Sequence, residues 1–177
     1  SSLKITKKIY KRTNFSLKQG VRFRENASLI SKNFTDVKVS HRLKKTDFAV
    51  SLGYRLLTDF DLDLSYDNKH RYYIDFTSKY DYKRFKISFR ERVQYQGNII
   101  SGFSTLFRTK IDISYNVRKT PFEPFLQLES FMKNKDKFEK YRYTIGFSYP
   151  MFKDLNADLF YRIQQILNTD NPERIFI

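Results

Sequence analysis

The sequence predicts an all-β fold, a transmembrane antiparallel β-barrel of about 12 strands, with 10 possible, apolar outside and with a charged lumen. A period of two in hydrophobicity runs along the chain, and turn-forming residues separate the periodic runs. No apolar run approaches the ~20 residues of a transmembrane helix, and the mean hydropathy is -0.62. With 177 residues, we expect a single outer-membrane barrel domain over residues 1–177.

The clearest periodic run lies between Thr105 and Val117. One parity is apolar and the other polar: Phe107, Ile111, Ile113, Tyr115 and Val117 against Arg108, Lys110, Asp112, Ser114 and Asn116. Successive side chains of a strand point to opposite faces, so such a strand has one apolar and one charged face. Similar runs cover residues 48–56, 60–66, 72–76, 85–95, 141–149 and 155–163, with weaker ones nearer the start.

Turn-forming residues divide these runs into about twelve strands joined by about eleven turns. The stretch from Asp59 to Asp81 is ambiguous, because its even positions stay mostly apolar and would also fit one long strand. We predict turns at Thr58–Asp59 and Asp67–Lys69 with a short strand between them, since an even count brings both termini to one side. The last strand, residues 173–177, is expected to be truncated.

Alternation alone also fits a soluble barrel with apolar residues inside. Dozens of large apolar side chains would then have to fit into one lumen. The lumen of a soluble barrel of about eight strands is already filled by its inward-facing side chains. Tyrosines near the ends of the runs, such as Tyr66, Tyr95 and Tyr149, match an aromatic girdle, although tyrosine also favours strands generally. Volume therefore favours an apolar face that meets lipid.

Several strand patterns are familiar: Phe89-Arg90-Glu91-Arg92, Leu106-Phe107-Arg108-Thr109-Lys110-Ile111, Phe122-Glu123-Pro124-Phe125 with Glu129, Tyr141 to Tyr149, and Asp67-Asn68-Lys69-His70-Arg71. Over roughly residues 45 to 167 the chain resembles a family of small outer-membrane β-barrel proteins of unknown function that is common in Bacteroidota. The resemblance implies a bacterial outer-membrane location. It implies no activity.

The polar parity predicts a charge network in the lumen. Its members are Arg22, Arg24, Arg42, Arg55, Arg71, Arg90, Arg92, Arg108, Lys110, Glu123, Glu129, Arg142, Asp158 and Arg162. Arginine can pair bidentately with carboxylates across neighbouring strands, which would close a narrow lumen. An open lumen with this cationic excess would instead be a pore that prefers anions. Both interpretations stay open.

Glu91 interrupts the apolar parity near the middle of a strand. A charge that faces lipid costs up to a few kcal/mol, so we predict that Glu91 contacts a protein partner. A position inside the lumen would contradict this prediction.

Sites for chemistry are scarce in the sequence. Cysteine is absent, and there are two histidines, of which His41 follows Ser40 and points to the opposite face of a strand. We find no spacing typical of a metal site or a phosphate loop among 5 glycines. We therefore expect no enzyme activity, no cofactor and no metal.

The sequence thus predicts a structural or accessory subunit of an outer-membrane assembly, with an anion-preferring pore as the alternative. The expected partners are outer-membrane lipid, lipopolysaccharide and other outer-membrane subunits. The net charge of +15 also suits a soluble β-protein that binds nucleic acid. This third hypothesis is disfavoured, because the aromatics alternate with the cations and lie on the opposite face.

Overall fold

The computed structural model describes residues 2–24, 29–60, 65–133, 137–152, 155–167 and 173–176, excluding the side chains of residues 24, 29, 137, 152, 155 and 173–176. These ranges hold 11 strands. The strands are β1 (Ser2–Tyr10), β2 (Thr13–Arg24), β3 (Leu29–Arg42), β4 (Phe48–Phe60), β5 (Tyr66–Tyr82), β6 (Phe85–Asn98), β7 (Gly102–Tyr115), β8 (Glu123–Lys133), β9 (Lys137–Phe152), β10 (Leu155–Ile166) and β11 (Glu173–Phe176).

The strands form one sheet in the order of the chain, each hydrogen-bonded to its sequence neighbours. The registers of β1 to β4 and of β8 to β11 are all antiparallel. The predicted all-β antiparallel fold is confirmed. Within the described residues, no helix has the length and apolar character needed to span a membrane.

The strand boundaries differ from the prediction between residues 58 and 69. Thr58–Asp59 lies inside β4 and Asp67–Lys69 lies inside β5, so one connection replaces the two predicted turns and the short strand between them. The Thr58 hydroxyl donates to the Asn68 side-chain oxygen at 2.8 Å, across the two strands. Residues 61–64 of the connection lie outside the described residues.

The chain divides into two compact units. Unit 1 comprises Ser1–Phe76 and Arg92–Leu106, and unit 2 comprises Thr77–Glu91 and Phe107–Ile177. In each unit the strands have a polar face and an apolar face, defined by the polar and apolar parities of the sequence. Every buried residue in the described ranges belongs to the polar face, whether it is itself polar or not.

Burial is inverted relative to a water-soluble protein. The buried residues of the described ranges include eleven polar or charged residues but three large hydrophobic ones, namely Tyr73, Leu106 and Phe131. In the same ranges 37 large hydrophobic side chains are exposed, among them Leu52 and Ile145, each 60% exposed. Soluble monomers rarely expose contiguous apolar patches beyond a few hundred Å².

Glycines on the polar face make room for aromatic side chains. A Cβ atom at Gly20 would lie 2.3 Å from the Phe34 ring, and one at Gly53 would lie 2.1 Å from the Tyr73 ring. Gly20 and Phe34 are directly opposed in the register of β2 and β3. Gly146 of β9 likewise leaves space for the Phe125 ring of β8, and a Cβ atom there would also meet the Leu159 carbonyl and the Phe160 Cβ of β10. An aromatic ring lying over a glycine fills the polar face where a second side chain would not fit.

We predict that Gly53→Ala destabilises the protein by about 1–3 kcal/mol, because the new methyl group overlaps the Tyr73 ring. The measurement is unfolding by urea in detergent, followed by circular dichroism. In a Tyr73→Leu background the same substitution should cost less than about 1 kcal/mol, since the shorter side chain leaves the space empty. Equal costs in both backgrounds would contradict this account of Gly53.

Candidate functional site

The polar face of unit 2 is organised around Glu129 of β8. Its Oε1 accepts hydrogen bonds from Nη2 of Arg90 and Nη2 of Arg108, both at 2.7 Å, and its Oε2 accepts one from Nη1 of Arg142 at 3.0 Å. The Glu129 side chain is 6% exposed. We call Glu129 and these three arginines the Glu129 cluster. A single carboxylate therefore neutralises part of the charge of three guanidinium groups.

Local strand geometry explains the Glu129 cluster. Glu129 and Arg142 are directly opposed in the register of β8 and β9. Phe131 lies two residues along β8 and so shares the face of Glu129. The guanidinium carbons of Arg108 and Arg142 lie 4.5 Å and 4.7 Å from the centre of the Phe131 ring, within cation–π distance. Arg142 also donates through Nη2 to Oε1 of Gln164 at 2.7 Å.

The polar face of unit 1 holds two further ion pairs around Tyr73. Nε of Arg55 donates to Oδ2 of Asp36 at 2.6 Å, and the Tyr73 hydroxyl donates to Oδ1 of Asp36 at 2.9 Å. Arg92 donates bidentately to Asp75, at 2.5 Å through Nε and 2.7 Å through Nη2. The Arg92 guanidinium also lies 3.8 Å from the centre of the Tyr73 ring. We call these five residues the Tyr73 cluster.

A third group of charges lies where β4 ends and β5 begins. Asp59 lies 3.0 Å from Nζ of both Lys32 and Lys69, and Lys69 lies 3.2 Å from Asp67. Asn98 completes the group by donating through Nδ2 to Asp67 at 2.7 Å. This group therefore contains mutually neutralised charges.

Smaller interactions complete the polar face of unit 2. Glu123 accepts a hydrogen bond from the Ser114 hydroxyl at 2.6 Å and is paired with Lys86 at 3.0 Å. Lys110 is paired with Asp112 at 2.9 Å on the same strand. Arg162 donates to the Thr144 hydroxyl at 3.0 Å, and its guanidinium lies over the Phe160 ring at 4.6 Å.

Members of the predicted charge network occur in several local groups. The structure places Arg90, Arg108, Glu129 and Arg142 in the Glu129 cluster, Arg55 and Arg92 in the Tyr73 cluster, and Lys110, Glu123 and Arg162 in the smaller interactions. Asp158 is exposed and joins none of these groups. Arg42 pairs with Asp47 at 3.2 Å in an exposed turn.

The remaining predicted members of the charge network are Arg22, Arg24 and Arg71. Arg71 donates through Nε to Gln96 at 2.9 Å and, among the described residues, lies within ion-pair distance of no carboxylate. Arg22 is partly buried and makes a polar contact within unit 1 through its backbone carbonyl, which accepts a hydrogen bond from the Ser31 hydroxyl at 3.3 Å. The side chain of Arg24 lies outside the described residues.

The prediction overlooked Asp36, Tyr73 and Phe131. Asp36 shares the parity of the polar residues of β3, so the alternation alone could have identified it. Tyr73 and Phe131 are aromatic residues in the polar parity, which the prediction treated as entirely polar. The signal for Tyr73 is Gly53, a residue without a side chain at a polar-face position of the neighbouring strand.

Glu91 lies on the apolar face of unit 2, not on the polar face. Its neighbour of the same parity, Phe89, is 41% exposed. The Glu91 carboxylate accepts a hydrogen bond from the Thr109 hydroxyl at 3.0 Å. The described residues contain no group of three or more His, Cys, Asp and Glu side chains arranged to hold a metal ion.

A family model described as "Protein of unknown function (DUF2490)" matches residues 1–175. The chain belongs to this family. No curated protein matches it.

Two solved structures are similar to the chain. An anion-selective porin from Comamonas acidovorans matches at 13% identity and a TM-score of 0.49, over 93% of this chain and 48% of the porin. OmpT, an outer membrane protein of Vibrio cholerae, matches at 12% identity and a TM-score of 0.44, over 99% of this chain and 59% of OmpT. The chain thus spans about half the length of the porin and somewhat more of OmpT.

We predict that Glu129→Gln destabilises the protein by about 3–5 kcal/mol, because it leaves buried guanidinium groups without their carboxylate. Glu123→Gln is the matched control. Its carboxylate is 30% exposed and pairs with a lysine that is 53% exposed, so its loss should cost about 1 kcal/mol or less. Urea unfolding in detergent measures both values. Similar losses of unfolding free energy in the two variants would show that the Glu129 cluster contributes no more to stability than a partly exposed ion pair.

Proposed function

We propose that the protein is a non-enzymatic β-barrel of the bacterial outer membrane, with a structural or accessory role in an outer-membrane assembly. The observation that carries this proposal is the inverted burial. The described ranges bury eleven polar or charged residues and expose 37 large hydrophobic ones. In water this arrangement would forfeit most of the hydrophobic stabilisation, whereas in a bilayer the apolar face meets lipid.

The composition of the two faces agrees with this proposal. The strands from β2 to β10 have 11 to 17 residues, which is enough for the roughly 9–11 residues that cross a bilayer with tilt. Aromatic pairs lie on the apolar face near strand ends, such as Phe85 with Tyr115 at 4.9 Å and Phe122 with Tyr149 at 5.2 Å between ring centres. Such rings are typical of the interfacial girdles of membrane barrels.

A structural role is favoured over a pore because the carboxylates of the polar face are committed to ion pairs within the chain. Glu129, Asp36 and Asp75 each hold at least one arginine within 3.0 Å. Arginines fixed in this way are not free to attract passing solutes. A source among Bacteroidota, and membership of a larger complex, are part of the proposal.

A pore that prefers anions is the second candidate, and Arg71 favours it. Its guanidinium lies on the polar face without a carboxylate among the described residues, and its Nε donates to the neutral amide of Gln96. A guanidinium of this kind retains its positive field. Conductance decides between the two candidates.

The proposal predicts that the expressed protein is found in the outer-membrane fraction and is released only by detergent. It should migrate faster on a gel when unheated, and purified protein should give no steady current in planar bilayers. A steady anion-selective current would favour the pore. A freely soluble monomer that needs no detergent would contradict the membrane location itself.

We further propose that Glu91 marks a contact with another protein subunit in the membrane. Glu91 lies on the apolar face, and Thr109 alone supplies its hydrogen-bond partner among the contacts of the described residues. A carboxylate with one hydroxyl partner keeps unsatisfied acceptor sites, which lipid cannot fill. Donors on a partner subunit would satisfy them.

Glu91→Leu should therefore shift the protein from an oligomer toward a monomer, as measured by crosslinking in native membranes and by sedimentation in detergent. Thr109→Val is the control, because it removes the internal hydrogen bond and leaves the carboxylate in place. An unchanged oligomeric state in Glu91→Leu, together with a more stable protein, would mean that Glu91 simply faces lipid.

A further inference from the structure

Two turns at one end of unit 1 line an open, solvent-exposed cavity that none of the charge clusters above uses. The cavity has a volume of about 650 Å³. It lies between the β1–β2 turn and the β3–β4 turn, and its charged lining residues are Lys8, Lys11, Arg12, Arg42, Lys45 and Asp47. We call it the cationic cavity. Its volume is within the range of sites that hold small organic ligands.

Backbone contacts hold the two turns in place. The Arg42 amide donates to the Arg12 carbonyl at 3.0 Å, and the Leu43 amide donates to the Phe48 carbonyl at 2.9 Å. Lys45 has a φ of 57°, in the left-handed region that tight turns use. The cations are therefore presented by two short turns and the adjoining ends of β1 and β3, which backbone hydrogen bonds hold together.

The charge of the cationic cavity is not balanced from within. Five cationic side chains face one carboxylate, Asp47, which is paired with Arg42 at 3.2 Å. In the part of the chain that is described, no acidic side chain lies within ion-pair distance of Lys8, Lys11 or Arg12. Elsewhere in unit 1 the lysines at the opposite end of the polar face are matched by Asp59 and Asp67. Like charges held together in this way favour a bound anion.

We propose that the cationic cavity binds a ligand that carries phosphate and at least two negative charges. Arginine forks and lysine ammonium groups are the side chains that recognise phosphate oxygens, and both are present. A ligand with a single negative charge would leave most of the surplus cations unmatched. The phosphate group belongs either to a soluble phosphorylated molecule or to a lipid headgroup, and the same chemistry recognises both.

The triple variant Lys8→Gln/Lys11→Gln/Arg12→Gln tests this proposal. Purified protein in uncharged detergent micelles is titrated with pyrophosphate by calorimetry, at low and at physiological salt. In a second arm, the micelles are doped with cardiolipin, a lipid with two phosphate groups and two negative charges, and retained lipid is measured by native mass spectrometry. The triple variant should bind at least about tenfold more weakly than the wild type to whichever of the two probes represents the natural ligand.

The matched control is Lys79→Gln/Arg84→Gln/Arg118→Gln, which removes the same charge from exposed positions outside the cationic cavity. It should change binding by less than about twofold. Circular dichroism confirms that both variants are folded.

The possible outcomes separate clearly. Pyrophosphate binding that depends on the cavity residues supports a soluble ligand, and cavity-dependent retention of cardiolipin alone supports a headgroup. Equal losses in the two triple variants would show general attraction to a basic protein and would overturn the proposal, as would an absence of binding in both arms. Titration in buffer remains possible if the protein proves soluble, so failure of the membrane proposal and failure of this one are distinguishable.

Discussion

The burial of arginine between a carboxylate and an aromatic ring is the interaction on which both units depend. In unit 1, Arg92 lies between Asp75 and Tyr73. In unit 2, Arg108 lies between Glu129 and Phe131. Taking a guanidinium group out of water costs several kcal/mol, which a carboxylate repays only when the geometry is good and the remaining surface is covered. The ring covers one flat side of the guanidinium while the carboxylate binds its edge.

This arrangement also explains the glycines of the polar face. A ring that lies flat under an arginine needs space on the neighbouring strand, and Gly53 provides it for Tyr73 just as Gly20 provides it for Phe34. Phe34 in turn lies 4.5 Å from the guanidinium carbon of Arg55, which is paired with Asp36. Glycine, aromatic ring, arginine and carboxylate therefore occur as a repeated set. The few glycines of the chain serve packing at these positions, where their cost in strand stability is offset.

The fold was largely predictable because the alternation of side chains along a strand is a purely geometric property. The error between residues 58 and 69 has a physical origin. Apolar residues keep their even positions from β4 through Tyr66 and into β5, so the parity does not change across the connection. The turn-forming residues at Asp67–Lys69 were then the remaining evidence for the position of the turn. In the structure, however, Asp67 and Lys69 form an ion pair within β5.

Much less of the site could be predicted, because parity assigns a residue to a face but not to a partner. Glu129 and Arg142 are adjacent once the register of β8 and β9 is known. The hydrogen bond from Tyr73 of β5 to Asp36 of β3 passes over β4 and depends on the tilt of the strands, which the sequence does not encode locally. Asp158 has the expected parity but remains exposed, so parity alone did not place it in one of the charge groups.

The position of the carboxylates determines where the net charge of +15 has its effect. Along the polar face of unit 1, Asp36 and Asp75 neutralise the middle, and Asp59 and Asp67 neutralise the end near the β4–β5 connection. Among the described residues that line the cationic cavity at the opposite end, Asp47 is the one carboxylate beside five cations. Coulomb attraction weakens with distance and with screening, so the field on an incoming anion is strongest at that end. A polar face whose middle is neutralised by its own ion pairs is therefore compatible with an anion-binding site at its end.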